Sequence, residues 1–215
     1  SPEIAQIEVA GSLRRGDELV GDINILCAVN EGTDPATVVQ SFTTLPNTVN
    51  VMSQDGTSAR VTDHSGQIIS IKVVPSEAWA GALVYATGSI AHGNKLEEIA
   101  EQNDLVLTED GLYENGADDP VEAQTESDIY DRLNLKFIPP EMREDSGEIE
   151  LGGTRDFSSI LKISDIRGDL HSHTNWSDGR YPMEDMVASA ADRGLEYLAI
   201  TDHSQRVSMA RGLDT

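Results

Sequence analysis

Apolar and polar positions alternate with changing rhythm along the chain. Over residues 4–75 the dominant period is two, which marks half-buried strands. Strands are expected at 4–10, 22–29, 48–52, 58–62 and 67–74, with turns at Asp55-Gly56 and His64-Ser65-Gly66. His64 beside Asp63 reads as part of a polar hairpin turn rather than as a ligand pair. Asp34-Pro35 opens a short helix over 36–45, which Pro46-Asn47 closes. The order is β-β-α-β-β-β. Within 22–29, alternation puts Asp22, Asn24, Leu26 and Ala28 on one side. Ile23, Ile25, Cys27 and Val29 take the other, the expected core face.

From residue 76 the period lengthens to that of helices. Ser76 is the expected N-cap of a helix carrying Trp79, Leu83 and Val84, and a second helix runs to Asn103 through Leu96, Ile99 and Ala100. Short strands at 105–107 and 111–113 and a helix at 126–133 complete this part. Residues 147–164 are polar, contain Gly152-Gly153, and read as a linker between domains. A β-α-β pattern follows. Its helix has Pro182 near the start and Met183, Met186, Val187, Ala190 and Ala191 on one face. Gly194 ends the helix, and the short apolar strand Tyr197–Ile200 comes next.

Composition narrows the class. The chain has 215 residues, enough for one large or two smaller domains. It has no apolar run of membrane-spanning length and no signal peptide. Its single cysteine, Cys27, excludes an internal disulfide framework and fits a reducing, cytoplasmic setting. Without an initiator Met, the chain reads as a piece of a longer protein. The formal net charge is -23, and residues 109–131 hold nine carboxylates with no Lys or Arg. Nucleic-acid-binding modules are normally basic, so this chain by itself is expected to bind nucleic acid weakly.

Residues 11–24 read Gly-Ser-Leu-Arg-Arg-Gly-Asp-Glu-Leu-Val-Gly-Asp-Ile-Asn. A Gly-Ser turn with two guanidinium groups suits a triphosphate. A carboxylate heading the next strand suits the divalent ions that bridge phosphates. A metal site wants a second carboxylate two residues after Asp22, and Asn24 stands there. The stretch resembles the palm of the family X DNA polymerases, whose pattern is Gly-Ser-x-Arg-Arg, a short gap, then Gly-Asp-x-Asp. The resemblance implies an α+β nucleotidyltransferase palm over residues 1–75, an antiparallel sheet with helices. It implies nucleotide contacts at Gly11, Ser12, Arg15 and Gly21, and Asp22 as a ligand of Mg2+ or Mn2+. Aligned on Val73-Val74-Pro75, the family's third carboxylate falls at Ser70. Asn24 and Ser70 offer only neutral oxygens to hard dications. The expected polymerase site is therefore degenerate, with a barrier raised by about 4 kcal/mol or more.

Tyr85-Ala86-Thr87-Gly88-Ser89 resembles the nucleotide-binding edge of the adjoining thumb-like subdomain, here residues 76–146. The resemblance implies contacts from Tyr85, Thr87, Gly88 and Ser89. The sequence departs from the family at Ala86, in place of an aromatic, at Gly93, where the expected Asn is replaced or displaced to Asn94, and at Glu97, in place of Arg. Ile138-Pro139-Pro140-Glu141-Met142-Arg143-Glu144 resembles the family's closing motif, for which a structural role is expected.

In the last part, His171 and His173 sit two apart at a strand end, where both can face one ion. Asp178 follows after a tight turn, and the β-α-β unit brings His203 to the same side. This stretch resembles the start of a PHP (polymerase and histidinol phosphatase) domain, a distorted, TIM-like β/α barrel whose multinuclear metal site hydrolyses phosphoesters. The implied ligands are His171, His173, Asp178 and His203, with Zn2+ or Mn2+. Residues 165–215 hold about two units of such a barrel, so further ligands are expected from other strands.

The succession of palm, thumb-like subdomain and PHP start resembles the bacterial and archaeal PolX repair polymerases. It implies DNA and deoxynucleoside triphosphates as partners of the full-length parent. It also implies gap filling, with 3'-5' exonuclease or abasic-site cleavage by the PHP part. Three readings stay open: an active polymerase, a PHP phosphoesterase using the palm as a platform, and a non-enzymatic nucleotide- or protein-binding module.

Overall fold

The computed structural model describes residues 3–157 and 159–214. The outermost positions of the expected domains and one position of the 147–164 linker therefore lie outside the described residues. The chain forms two compact units, Ser1–Ser158 and Ser159–Thr215. No helix among the described residues is long and apolar enough to cross a membrane.

In the first unit β1 (Ile4–Ala10), β2 (Asp22–Val29), β3 (Thr48–Gln54), β4 (Ser58–Asp63) and β5 (Ile68–Pro75) form one sheet in the order β1-β2-β5-β4-β3. β2 and β5 run parallel, with Asp22 beside Ile68 and Asn24 beside Ser70, while the other pairings are antiparallel. The expectation of an antiparallel sheet is corrected by this central pair. The helix α2 (Pro35–Thr43) carries the chain back to the end where β2 began, so β3 starts in the direction of β2. Two hairpin reversals then give β5 the same direction. Asp34 caps α2 by accepting from the Ala36 amide at 3.0 Å.

β2 corrects a second expectation. Cys27 and Val29 pack with Val38 and Val39 of α2, as the core face should. Leu26 and Ala28, assigned to the other side, are equally buried against Val74, Ala78, Ala82 and Leu83. Strands at the centre of a parallel pair are covered on both faces. Burial along β2 therefore does not alternate: Asp22 to Ile25 are all half-buried and Leu26 to Val29 all buried.

Ser76 lies in a 3-10 turn, Ser76–Ala78, and α3 (Trp79–Thr87) starts without a side-chain cap. α4 (Ile90–Gln102) is capped by Ser89, whose hydroxyl accepts from the His92 amide at 3.2 Å. The hairpin of β6 (Leu105–Thr108) and β7 (Gly111–Glu114) and the helix α5 (Glu126–Arg132) follow. Their core joins Val84, Leu96, Leu112, Ile129, Tyr130 and Ile138. Part of the polar stretch 147–164 is ordered onto it. There α6 (Glu148–Gly152) contributes Ile149, and Phe157 packs on the same core.

His92 is fully buried between two partners, with Nδ1 2.7 Å from Glu148 and Nε2 3.1 Å from the Tyr130 hydroxyl. Burial holds the imidazole pKa below its ordinary value, against the pull of Glu148. For Glu148, burial pushes the carboxyl up, but His92 and nearby amides outweigh it and the net shift is down. In both cases the folded chain binds fewer protons than the unfolded chain. Their stabilisation is therefore present above the unfolded pKa values and lost as the pH falls. The melting temperature of the first unit is expected to drop below about pH 6.5, and again below about pH 4.3. His92→Gln should flatten the upper limb of that profile. A series of melts followed by circular dichroism checks this, and a native profile flat down to about pH 5 would contradict it.

In the second unit, β8 (Gly168–Ser172) and β9 (Tyr197–Ile200) pair in parallel and are joined by α7 (Met183–Asp192), the expected β-α-β. Two strands cover little of the helix. None of its residues is buried, and Val187 of the expected apolar face is about half exposed. Burial in this unit centres instead on the loop after β8, where Thr174 and Ser177 are almost wholly enclosed.

Candidate functional site

In the first unit a short helix, α1 (Gly11–Arg15), replaces the expected turn, and Gly16 ends it with φ +75°. Gly11 has φ +60°, and a Cβ there would lie 2.9 Å from Nδ2 of Asn24. Only glycine lets α1 press this closely on the head of β2. A cleft of about 640 Å³ opens beside it, lined by Gly11, Ser12, Arg15, Asp22, Asn24, Gly88 and Ser89 among others. Ser70 and Tyr85 line an adjoining hollow of about 450 Å³ that shares Asn24 and Ala86 with the cleft.

Two expected residues stand apart. Gly21 is exposed and lines neither space. Thr87 is buried; its hydroxyl donates to the Leu83 carbonyl at 2.6 Å and accepts from Arg14 at 2.8 Å. A nucleotide contact is therefore not available to the Thr87 side chain.

The arginines of α1 are engaged by the framework. Arg14 makes two 2.8 Å bonds to Glu126, which also accepts from the fully buried Arg143 at 2.7 Å. Arg15 bonds Asp17 at 2.7 Å, Glu144, and the Thr87 carbonyl at 3.1 Å. Asn24 donates its amide to Asp22 at 3.2 Å. Arg60 of β4 stands 3.6 Å from the Asp22 carboxylate and opposite Ser70 in register. The alternation of 58–62 puts Arg60 on the polar side of its strand. Its place beside Asp22 depends on the order β2-β5-β4, which the strand pattern alone does not reveal.

In the second unit His173, Asp178 and His203 converge at the ends of β8 and β9, and His171, the fourth expected ligand, lies against His173. The Nε2 atoms of His171 and His173 are 2.9 Å apart, with their rings stacked at 5.0 Å. His173 Nδ1 lies 3.0 Å from one Asp178 oxygen, and His203 Nε2 lies 3.4 Å from the other. Donor atoms of His173, Asp178 and His203 all fall within 4.8 Å of one another. Ligands about 2.0–2.2 Å from a tetrahedral ion sit about 3.3–3.6 Å apart, so this set can close on one by small movements. Partial burial pushes the Asp178 carboxyl up. Its own amide, His203 and His173 outweigh that and hold it below the usual carboxylate range.

Asp202 builds the loop that presents these ligands, a role no sequence pattern had given it. Its carboxylate accepts from the Thr174 amide at 2.8 Å, the Thr174 hydroxyl at 2.6 Å and the Ser177 hydroxyl at 2.5 Å. The turn closes where the Gly179 amide donates to the Thr174 carbonyl at 2.9 Å, and a Cβ at Gly179 would lie 2.3 Å from the His173 carbonyl oxygen. The only hint in the sequence is the place of Asp202 directly before His203.

Residues 82–144 match the family model of the DNA polymerase beta thumb, and residues 169–213 match that of the PHP domain. Together these mark the chain as PolX-type, a DNA polymerase family with a PHP domain. Over 98% of its length the chain is 32% identical to the DNA polymerase/3'-5' exonuclease PolX of Bacillus subtilis (strain 168). It spans 36% of that protein.

Proposed function

We propose that this chain joins a DNA-positioning platform, built from a catalytically degenerate palm and its thumb, to a PHP region that hydrolyses phosphodiesters. Residues 1–75 are the palm, 76–146 the thumb-like subdomain, 147–164 the connection and 165–215 the start of the PHP barrel. The observation that carries the reading is the convergence of His173, Asp178 and His203, with His171 stacked on His173. An ion held there, zinc or manganese, supplies Lewis acidity to the phosphoester and acidifies water. The chain's own part is positional. Asp178 enters ionised, His171 stacks against His173, and β9 delivers His203 to the same rim.

The palm residues do not fit a pair of Mg2+ or Mn2+ ions. Asp22 is the one carboxylate among Asp22, Asn24 and Ser70, and it faces the Arg60 guanidinium. That cation repels an incoming dication and already meets the one negative charge that Asp22 offers. Neutral oxygens from Asn24 and Ser70 do not offset it.

DNA is the proposed partner, held weakly by this acidic segment, and the cytoplasm the proposed setting. A gapped duplex offered with manganese and deoxynucleoside triphosphates to the protein carrying this segment tests the reading. Products resolved by length should shorten, and His173→Ala should abolish the shortening by at least about a hundredfold. Extension of the primer that Asp22→Ala removes would instead establish an active polymerase. Cleavage indifferent to His173→Ala would favour a binding module.

A further inference from the structure

The negative charge of the chain is unevenly spread. Residues 159–215 hold six Lys or Arg and nine Asp or Glu, whereas residues 1–158 hold nine and 29. A nucleic-acid strand repelled by the first unit therefore meets a nearly balanced second unit. Two of the nine carboxylates belong to the site itself, Asp178 among the ligands and Asp202 in the loop that presents them.

That loop displays an aromatic side chain. Thr174 and Ser177 are enclosed, and their hydroxyls are tied to Asp202 at 2.6 Å and 2.5 Å. Trp176, between them, is 59% exposed. Its amide donates to the Thr174 hydroxyl at 3.2 Å, and the Asn175 amide donates to the Tyr181 carbonyl at 2.8 Å. The backbone is thus held on both sides of Trp176 while much of the indole stays in solvent. An indole is a large apolar surface, and a ligand that covers it gains the burial that the loop forgoes. Arg180, also exposed, stands two positions beyond Asp178.

Spacing suggests what covers the indole. Trp176 and Asp178 are two positions apart, so their Cα atoms lie at most about 7 Å from one another. A nucleotide has a matching layout, with its base one sugar away from its phosphate. A phosphodiester at His173, Asp178 and His203 leaves its base within reach of Trp176. Aromatic faces accept any base by stacking, and a nearby guanidinium suits the strand's backbone.

We infer that Trp176 stacks the base of the terminal DNA nucleotide whose phosphodiester is hydrolysed, and so selects base-bearing ends over abasic ones. The role depends on the PHP reading of residues 165–215. Because Asp202 already fixes the loop, stacking requires little further ordering. The same contact is made before and during hydrolysis, so it acts on KM and leaves kcat alone. Trp176 is a positioning residue.

Steady-state cleavage by the protein carrying this segment, with manganese, tests this on two substrates. One is a single-stranded oligonucleotide, and the other is the same strand ending in a baseless tetrahydrofuran nucleotide. The baseless end should show a KM about tenfold higher. Trp176→Ala should raise KM about tenfold on the base-bearing end, hold kcat within about twofold, and change nothing on the baseless end. Trp176→Phe should recover most of the loss. In chelator, where no bond is broken, a 2-aminopurine at the 3' terminus should emit less with the wild type than with Trp176→Ala. Equal losses on both ends, or a fall in kcat with KM unchanged, overturn the inference. So do 2-aminopurine emission indifferent to the substitution, and an unchanged KM with a lowered melting temperature, the mark of an indole covered by protein. Failure of the PHP reading shows separately, as cleavage indifferent to His173→Ala, and the 2-aminopurine comparison decides the stacking without any cleavage.

Discussion

Glu126→Ala should lower the unfolding free energy of the first unit by about 3–5 kcal/mol, because it strands a buried cation. Glu126 is the shared counter-ion of Arg14 and Arg143, at 2.8 Å and 2.7 Å. Burial works against the ionised carboxylate, but the two arginines outweigh it and hold its pKa below the ordinary value. Arg143 has no exposed surface, bonds the Ile138 carbonyl at 2.9 Å, and lies 5.2 Å and 5.5 Å from the Tyr130 and Phe137 rings. Without Glu126 its charge would face apolar side chains and one carbonyl. Urea denaturation of the wild type and the variant measures the difference. Adding Arg143→Met should recover most of the loss, since removing both members of a buried pair is far less disruptive than removing one. A loss under about 1 kcal/mol in the single variant would mean that water reaches the cluster.

Much of this cluster was legible in outline only. The run from Ile138 to Glu144 pointed to a structural role, and Arg143 fills it by reaching back to Glu126. Nothing in the sequence ties Arg14 to that same carboxylate, because the pairing spans distant parts of the chain. The strands and the longer helices of the first unit were legible from their periodicity, whereas the short helices α1 and α6 were not, and burial on both faces erased alternation in β2. The parallel pairing of β2 with β5 and the place of Arg60 depended on strand order, which local pattern does not encode. In the second unit, spacing at strand ends pointed to residues of which His173, Asp178 and His203 lie together, with His171 beside His173. The loop that positions them was invisible, because it depends on Asp202 meeting the buried Thr174 and Ser177.

That loop gives the second large effect. Asp202→Ala is expected to reduce the affinity of the PHP region for zinc or manganese about tenfold to a hundredfold, although Asp202 is not among the proposed ligands. Its three bonds fix the turn between His173 and Asp178, and the next residue, His203, completes the group. Loss of the carboxylate leaves the buried Thr174 and Ser177 hydroxyls short of an acceptor and frees the turn. Metal competition with a chromophoric chelator measures the affinity directly, without any substrate. Asp202→Asn keeps one acceptor oxygen and should fall between the wild type and alanine. Equal affinity in all three proteins would show that the turn holds its shape without Asp202.

The parallel seam between β2 and β5 also has a kinetic consequence. β1 and β2 are linked by one short connection, and β3, β4 and β5 by two hairpins, so each block can form from nearby contacts. The seam cannot, because α2, β3 and β4 all lie between Asn24 and Ser70 in the sequence. Contacts of long sequence separation form slowly, since their loop entropy is lost before pairing compensates. Asn24 and Ser70, with Arg60 beside Ser70 on β4, are therefore expected to come together late in folding.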